Sequence, residues 1–201
     1  MPKVKICGMT EKETIQTAIE HNVDYLGFVF YAKSPRNLTP DQARELTKNI
    51  PPHVKRIAVL VNAKDEFIEQ IKDYFDCFQL HGHEDVKRIR ELKQKFNKEI
   101  IKAIRVTDEA SAKTYTQFED EVDMLIFDSP AMEKTAKFDW NILTKLKIKK
   151  PYLVAGSISI DNVDEVLKYN PYGIDVSAGL ESSLGVKSKT KIIEFLDKVK
   201  A

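Results

Sequence analysis

The stretch RIAVLV at 56–61, followed by EFIEQIKDYF at 66–75 and FQLH at 78–81, decides the fold. Its first and last pieces are short apolar runs of the kind a strand buried on both faces requires. Its middle piece sets Phe67, Ile68, Ile71 and Phe75 at helical spacing. Outward from this strand–helix–strand unit the pattern repeats. Strands are predicted at Val4–Cys7, Tyr25–Phe30, Arg56–Val61, Phe78–His81, Ile100–Val106, Met124–Asp128, Tyr152–Ala155 and Ile174–Ser177. Helices are predicted at Glu13–Glu20, Pro40–Ile50, Glu66–Phe75, Glu84–Phe96, Asp108–Phe118, Asp139–Leu146, Ile160–Leu167 and Lys189–Val199. Thr39-Pro40-Asp41 reads as a capped helix entry, and Asp161 as an early acidic residue at a helix start.

Such alternation implies a parallel sheet with right-handed crossovers. Eight units match a closed (β/α)8 barrel, of which 201 residues is near the lower size limit. An open doubly wound sheet ordinarily has fewer strands and often a glycine-rich phosphate turn, and no GxGxxG follows the first run. The expectation is an α/β TIM barrel forming a single domain over 1–201. The chain is 42% hydrophobic, enough for a sizeable core. Its 32 Lys plus Arg against 31 Asp plus Glu argue against nucleic-acid and membrane-surface partners. Cys7 and Cys77 have no CxxC spacing, and His21, His53 and His83 suggest no metal site. With no signal-like N-terminus and no apolar run of membrane length, a cytoplasmic enzyme is expected.

In this fold the strand C-termini carry the chemistry. Here they end in Cys7-Gly8, His81-Gly82, Asp128-Ser129, Ala155-Gly156-Ser157 and Ser177-Ala178-Gly179, and a basic loop with Arg36 follows the second strand. Strand parity puts Lys5, Gln79 and Asp175 on the same faces as Cys7, His81 and Ser177, which implies a polar barrel interior. A structural network of ion pairs and the lining of a site both fit that pattern. Gly156, Ser157, Ser177, Ala178 and Gly179 lie where barrels commonly bind phosphate through backbone N–H groups. Glycine is scarce, with seven in the chain, and four of them (Gly8, Gly82, Gly156 and Gly179) stand on this rim.

Taken in order, Val4–Thr10, Gly27–Phe30 with Ser34-Pro35-Arg36, Gln79–Gly82, Asp128, Phe138-Asp139-Trp140 and Asp175–Gly179 resemble the phosphoribosylanthranilate isomerase family of tryptophan biosynthesis. The resemblance implies an Amadori rearrangement of N-(5-phosphoribosyl)anthranilate, a small phosphorylated substrate, without metal or organic cofactor. It implies Cys7 as general base and Asp128 as general acid, which asks for a partly ionised thiol and a buried carboxyl. It implies Arg36 at the anthranilate carboxylate and His81 near the site. Asp175 would hold the substrate's amine or hydroxyls, or pair with a buried lysine. Family members occur as monomers, dimers and fusions, so a monomer or homodimer is expected. Three departures stand out: the glycine-free stretch 129–137, Ala155-Gly156-Ser157 where paired glycines are common, and Ser188 where an aspartate is usual. A non-catalytic phosphosugar-binding barrel is one alternative. A related histidine-pathway aminoaldose isomerase is the other, and Cys7 counts against it because such enzymes resemble a barrel with an aspartate base on the first strand.

Overall fold

The computed structural model describes residues 1–129 and 138–201. The stretch 130–137, which holds most of the glycine-free departure, lies outside the described residues. Eight parallel strands close into a barrel in chain order: β1 (Lys3–Cys7), β2 (Tyr25–Phe30), β3 (Lys55–Leu60), β4 (Cys77–Leu80), β5 (Glu99–Arg105), β6 (Met124–Asp128), β7 (Tyr152–Val154) and β8 (Gly173–Val176). The seam pairs β8 with β1, setting Lys5 beside Asp175 and Ile6 beside Val176. The expected (β/α)8 barrel is therefore the observed one.

Strand parity divides the buried side chains into two cores. Val4, Ile6, Leu26 and Phe28 point outward into the layer between strands and helices. There Phe28, Phe30, Phe67 and Phe75 interlock with ring centroids 5.4–5.6 Å apart, in the tilted and edge-on arrangements that aromatic quadrupoles favour. Tyr25, Ile57, Val59, Cys77, Ile101, Ile126 and Leu153 form the smaller core inside the barrel. Above it the interior turns polar, because Lys5, Gln79 and Asp175 share that inner face.

The outer ring comprises α1 (Lys12–Glu20), α2 (Pro40–Thr47), α3 (Asp65–Ile71), α4 (Val86–Phe96), α5 (Glu109–Lys113), α6 (Val163–Leu167) and α7 (Lys189–Lys200). Several predicted helices needed correction. Asp139–Leu146 is a 3-10 turn over Trp140–Lys145, entered from an Asp139 cap. Asp108–Phe118 is the short α5 followed by a 3-10 turn over Thr114–Gln117. Its few apolar positions give little face to bury, so packing does not sustain a longer helix. The helix predicted from Ile160 starts at Val163 behind an Asn162 N-cap, which leaves Asp161 outside it. The one predicted from Glu84 starts at Val86, because the Asp85 carboxylate caps Arg88 N–H and Glu84 is drawn into a buried pair with Lys102. The Thr39-Pro40-Asp41 entry stands as read, with Thr39 and Gln42 forming a reciprocal capping box. An antiparallel hairpin, β9 (Glu181–Ser183) with β10 (Val186–Lys187), was not foreseen.

Three aspartates clasp the lower ends of neighbouring strands. Each stands just before an even strand and accepts a backbone N–H from the odd strand preceding it: Val4 to Asp24, Arg56 to Asp76 and Ile100 to Asp123, each at 2.8 Å. Burial alone would raise the Asp24 carboxyl, but hydrogen bonds from Lys200, Lys3 and Val4 bring it below its ordinary value. Asp24 therefore ties β1, the entry to β2 and the C-terminal helix together. Asp24→Ala should lower stability by about 1–3 kcal/mol, the typical cost of leaving a buried N–H unpaired. The expected readout is a lower urea midpoint at unchanged slope. An unshifted midpoint would mean that this clasp contributes nothing.

Candidate active site

The polar strand ends meet in one mouth. Cys7 closes β1 and is only partly exposed. Below it on the same face, Lys5 is fully buried and gives two hydrogen bonds of 2.9 Å to the two carboxylate oxygens of Asp175 on β8. Burial would lower the Lys5 ammonium, but Asp175 and Cys7 outweigh it and hold it protonated. Burial pushes the Cys7 thiol up, and the pull of Lys5 and Lys187 does not fully reverse this. The resemblance asked for a partly ionised thiol. The site instead favours the neutral form, because burial and the Asp175 charge together penalise the thiolate more than Lys5 and Lys187 relieve it.

Asp128 ends β6, with its side chain 21% exposed, so the buried carboxyl that the resemblance asks for is only partly buried here. Its Oδ2 lies 3.3 Å from His81 Nε2. On the other side of the ring, Gln79 Nε2 is 3.0 Å from His81 Nδ1. An amide nitrogen only donates, so Nδ1 accepts and Nε2 carries the proton that faces Asp128. His81 is thereby anchored through Gln79 and stands in charge-contact range of Asp128. The loop that carries it is fixed from below: Lys102 Nζ donates to Gly82 O at 2.7 Å, and Glu84 accepts from the backbone of Asn62 and Gly82. Burial raises the Asp175 carboxyl, Lys5 lowers it, and Asp128 and His81 also act on it. In the strand order, β8, which carries Asp175, pairs with β1, which carries Cys7, and with β7, the neighbour of β6, which carries Asp128.

Arg36 reaches this mouth from the loop after β2. A Cβ at Gly8 would sit 2.2 Å from Arg36 Cδ, and Gly8 has φ +79°. Glycine both allows that backbone angle and lets the arginine lie across the turn behind Cys7. The guanidinium is held in a two-pronged pair with Glu181, Nε to Oε1 at 2.6 Å and Nη2 to Oε2 at 2.8 Å. Glu181 also accepts from Lys187 Nζ at 2.8 Å and from Gly185 N–H at 3.1 Å. Neither Glu181 nor Lys187 was singled out in the sequence. The available signal was the short Glu181…Gly185…Lys187 spacing of a hairpin, set directly after the last strand.

The loops after β7 and β8 adjoin, since a Cβ on Gly179 would strike Ile158 O at 2.1 Å. Gly156 and Ser157 form the first of them, and Ser157 adopts φ +53°, the left-handed region that a second glycine would enter freely. Ala178 and Gly179 open a 3-10 turn over Ala178–Leu180, whose first amides have no partner within the turn. The Ser177 hydroxyl donates to Cys7 O at 3.0 Å and so braces β1. Ser188 caps α7 by accepting Lys191 N–H, a task that serine and aspartate both perform.

Comparisons with known proteins show the family and the fold. Residues 4–198 match the family described as N-(5'-phosphoribosyl)anthranilate (PRA) isomerase. The chain is 39% identical to the N-(5'-phosphoribosyl)anthranilate isomerase of Geotalea uraniireducens over 205 residues, covering all of this chain and 99% of the relative. It is similar to the crystal structure of phosphoribosyl anthranilate isomerase from Thermotoga maritima, with a TM-score of 0.91 at 30% identity over 100% of this chain and 99% of the other. It is likewise similar to a phosphoribosyl anthranilate isomerase in complex with reduced 1-(o-carboxyphenylamino)-1-deoxyribulose 5-phosphate, with a TM-score of 0.89 at 30% identity and the same coverage.

The Arg36–Glu181–Lys187 cluster carries a pH signature. Burial would raise the Glu181 carboxyl, but Arg36, Lys187 and the Gly185 N–H bring it down to about 2. Because the folded value is depressed, the cluster's stabilisation is complete above pH 4.5, the carboxyl's ordinary value, and is lost as pH falls toward 2. Glu181→Gln should therefore flatten the acid side of the stability curve in that window. The parent should lose on the order of 1–3 kcal/mol there that the variant does not. Urea unfolding at pH 6 and pH 3 measures it, and parallel losses in the two proteins would contradict it.

Proposed function

The chain belongs to the N-(5'-phosphoribosyl)anthranilate isomerase family, and we propose that it performs that family's rearrangement with Cys7 as general base and Asp128 as general acid. The substrate is N-(5-phosphoribosyl)anthranilate and the product is 1-(2-carboxyphenylamino)-1-deoxy-D-ribulose 5-phosphate. The observation that carries this reading is the strand order, in which β8 with Asp175 pairs with β1, the strand of Cys7, on one side and with β7, the neighbour of β6 and Asp128, on the other. A sugar lying over Asp175 has a thiol on one side and a carboxyl on the other, as two proton transfers at neighbouring atoms require.

Asp128 gives its proton to the furanose ring oxygen as the C1–O bond breaks, and the nitrogen lone pair closes the C=N bond. Cys7 as thiolate takes the C2 proton, whose bonding electrons move toward the iminium to give an enol-amine. That species tautomerises to the aminoketose. Asp175 accepts from the substrate's amine or hydroxyls. His81, with its Nε2 proton toward Asp128, keeps that carboxyl aimed. Arg36 meets the anthranilate carboxylate with the guanidinium edge that Glu181 leaves open. The amides of Gly156, Ser157, Ala178 and Gly179 cradle the phosphate, and Ser177 contributes by fixing Cys7. No cofactor enters these steps. Among the described residues no helix is long and apolar enough to cross a membrane. In our reading the chain is one cytoplasmic catalytic domain over 1–201, working as a monomer or homodimer.

Cys7→Ala and Asp128→Asn should each lower kcat by about 10²–10⁴-fold, the usual contribution of one proton-transfer group. Their unfolding midpoints should stay close to the parent's. The decay of substrate fluorescence after enzyme is added to freshly generated phosphoribosylanthranilate reports turnover. Near-normal turnover in either variant would remove that residue from its role.

A further inference from the structure

Lys5 is an unusual residue to find wholly inside a barrel. An ammonium has three protons, and two of them go to Asp175 at 2.9 Å. The third is free of Asp175, and Cys7 stands two residues along the same strand. Gly27 of β2 stands opposite Cys7 in the sheet register. A Cβ built on it would lie 3.1 Å from both Cys7 Sγ and Lys5 Nζ. The sulfur and the ammonium therefore flank one gap, which the missing side chain of Gly27 leaves open.

From this juxtaposition we propose that Lys5 is a positioning residue that holds the Cys7 thiolate through its third proton, with Asp175 competing for the ammonium and Gly27 keeping the gap between them open. The proposal rests on the reading of Cys7 as the base. The charged groups that act on Cys7 among the described residues are these. On its own strand there is Lys5. From β8 comes Asp175, which opposes the thiolate, and from β10 comes Lys187, which favours it. The Lys187 ammonium is taken by Glu181 at 2.8 Å and by Ser177 O at 3.2 Å, so it acts only at a distance. Arg36, across Gly8, is bound to Glu181 through two of its nitrogens. Asp128 ends β6 and His81 follows β4, strands that are not paired with β1. Lys5 is the cation that shares the Gly27 gap with the sulfur. A solely structural Lys5–Asp175 pair makes no distinction between its two partners as far as Cys7 is concerned. The proposed role gives them opposite signs: losing Lys5 removes the thiolate's partner, and losing Asp175 frees the ammonium for it.

The test is the pH dependence of Cys7 alkylation by iodoacetamide, in a Cys77→Ser background that leaves Cys7 as the only thiol. The Cys77 Sγ donates to Glu99 at 3.2 Å, a bond that serine can keep. Asp175→Asn should move the alkylation midpoint down and speed the reaction about tenfold at neutral pH. Lys5→Met should move it up by a similar factor. Gly27→Ala, which changes no charge, should move it in the same direction as Lys5→Met by wedging a methyl group between sulfur and ammonium. Should Lys5→Met fail to fold because it strands a buried carboxylate, the opposite shifts of Asp175→Asn and Gly27→Ala still decide. Midpoints unchanged, or moved in one common direction by Asp175→Asn and Gly27→Ala, would overturn the proposal. Turnover of Cys7→Ala tests the base assignment separately, so shifted midpoints with undiminished turnover would leave the Lys5 contact standing and remove the catalytic reading.

Discussion

The contact between Lys5 and Asp175 sits on the seam that turns the sheet into a barrel. The two residues are register partners on the first and last strands, so the pair exists only when the barrel is shut. A buried ion pair of this kind is a poor source of stability, since an apolar pair of similar volume often does as well or better. Its value lies in where it puts charge. It sets a cation under the thiol and a carboxylate on the strand beside it. The site's electrostatics thus follow from the closure of the fold, and replacing the pair with well-packed leucines would keep the barrel and discard the chemistry.

The architecture was legible because it rests on burial. Tyr25–Phe30 and Met124–Asp128 are strands at the predicted bounds, each an apolar run with a polar or turn-forming residue at either end. Parity along β1, β4 and β8 placed Lys5, Gln79 and Asp175 in the interior before any contact was known. Cys7, His81, Asp128 and Asp175 do converge on one mouth. What could not be read was whatever depends on the particular partner. Glu181 looked like one acidic residue among 31 Asp and Glu, and only the hairpin brings it to Arg36. The bond from the Ser177 hydroxyl to the Cys7 carbonyl likewise depends on the closed barrel, since it joins residues 170 positions apart. Helix ends were misplaced where a side chain had a stronger use elsewhere, as Glu84 has with Lys102. The weakly amphipathic fifth helical segment shrank because little packing holds it, whereas the sixth became a 3-10 turn although Trp140, Ile142 and Leu143 are buried in the core.

The scarcity of glycine also has a structural account. Chains commonly stop helices with a glycine in the left-handed region. Here Asn22, Asn97 and Asn170 take that conformation just beyond α1, α4 and α6, with φ between +48° and +60°. Asparagine tolerates it better than other residues with a side chain. The glycines are thus released from routine turns, and several serve where a Cβ would collide, as at Gly8 under Arg36 and Gly27 beside Cys7.

The three aspartate clasps at the lower rim bear on how the molecule assembles. They join residues 20, 20 and 23 positions apart, whereas the Lys5–Asp175 contact joins residues 170 apart. The entropy of closing a loop rises with its length, and contacts distant in sequence are slow to form. Strand pairs can lock locally while the ends of the chain are still apart. Lys5 and Cys7 share β1, and Asp175 joins them only when β8 pairs with β1. A chain that has paired its neighbouring strands but not yet closed the seam therefore holds most of its sheet and lacks the carboxylate of its reactive centre.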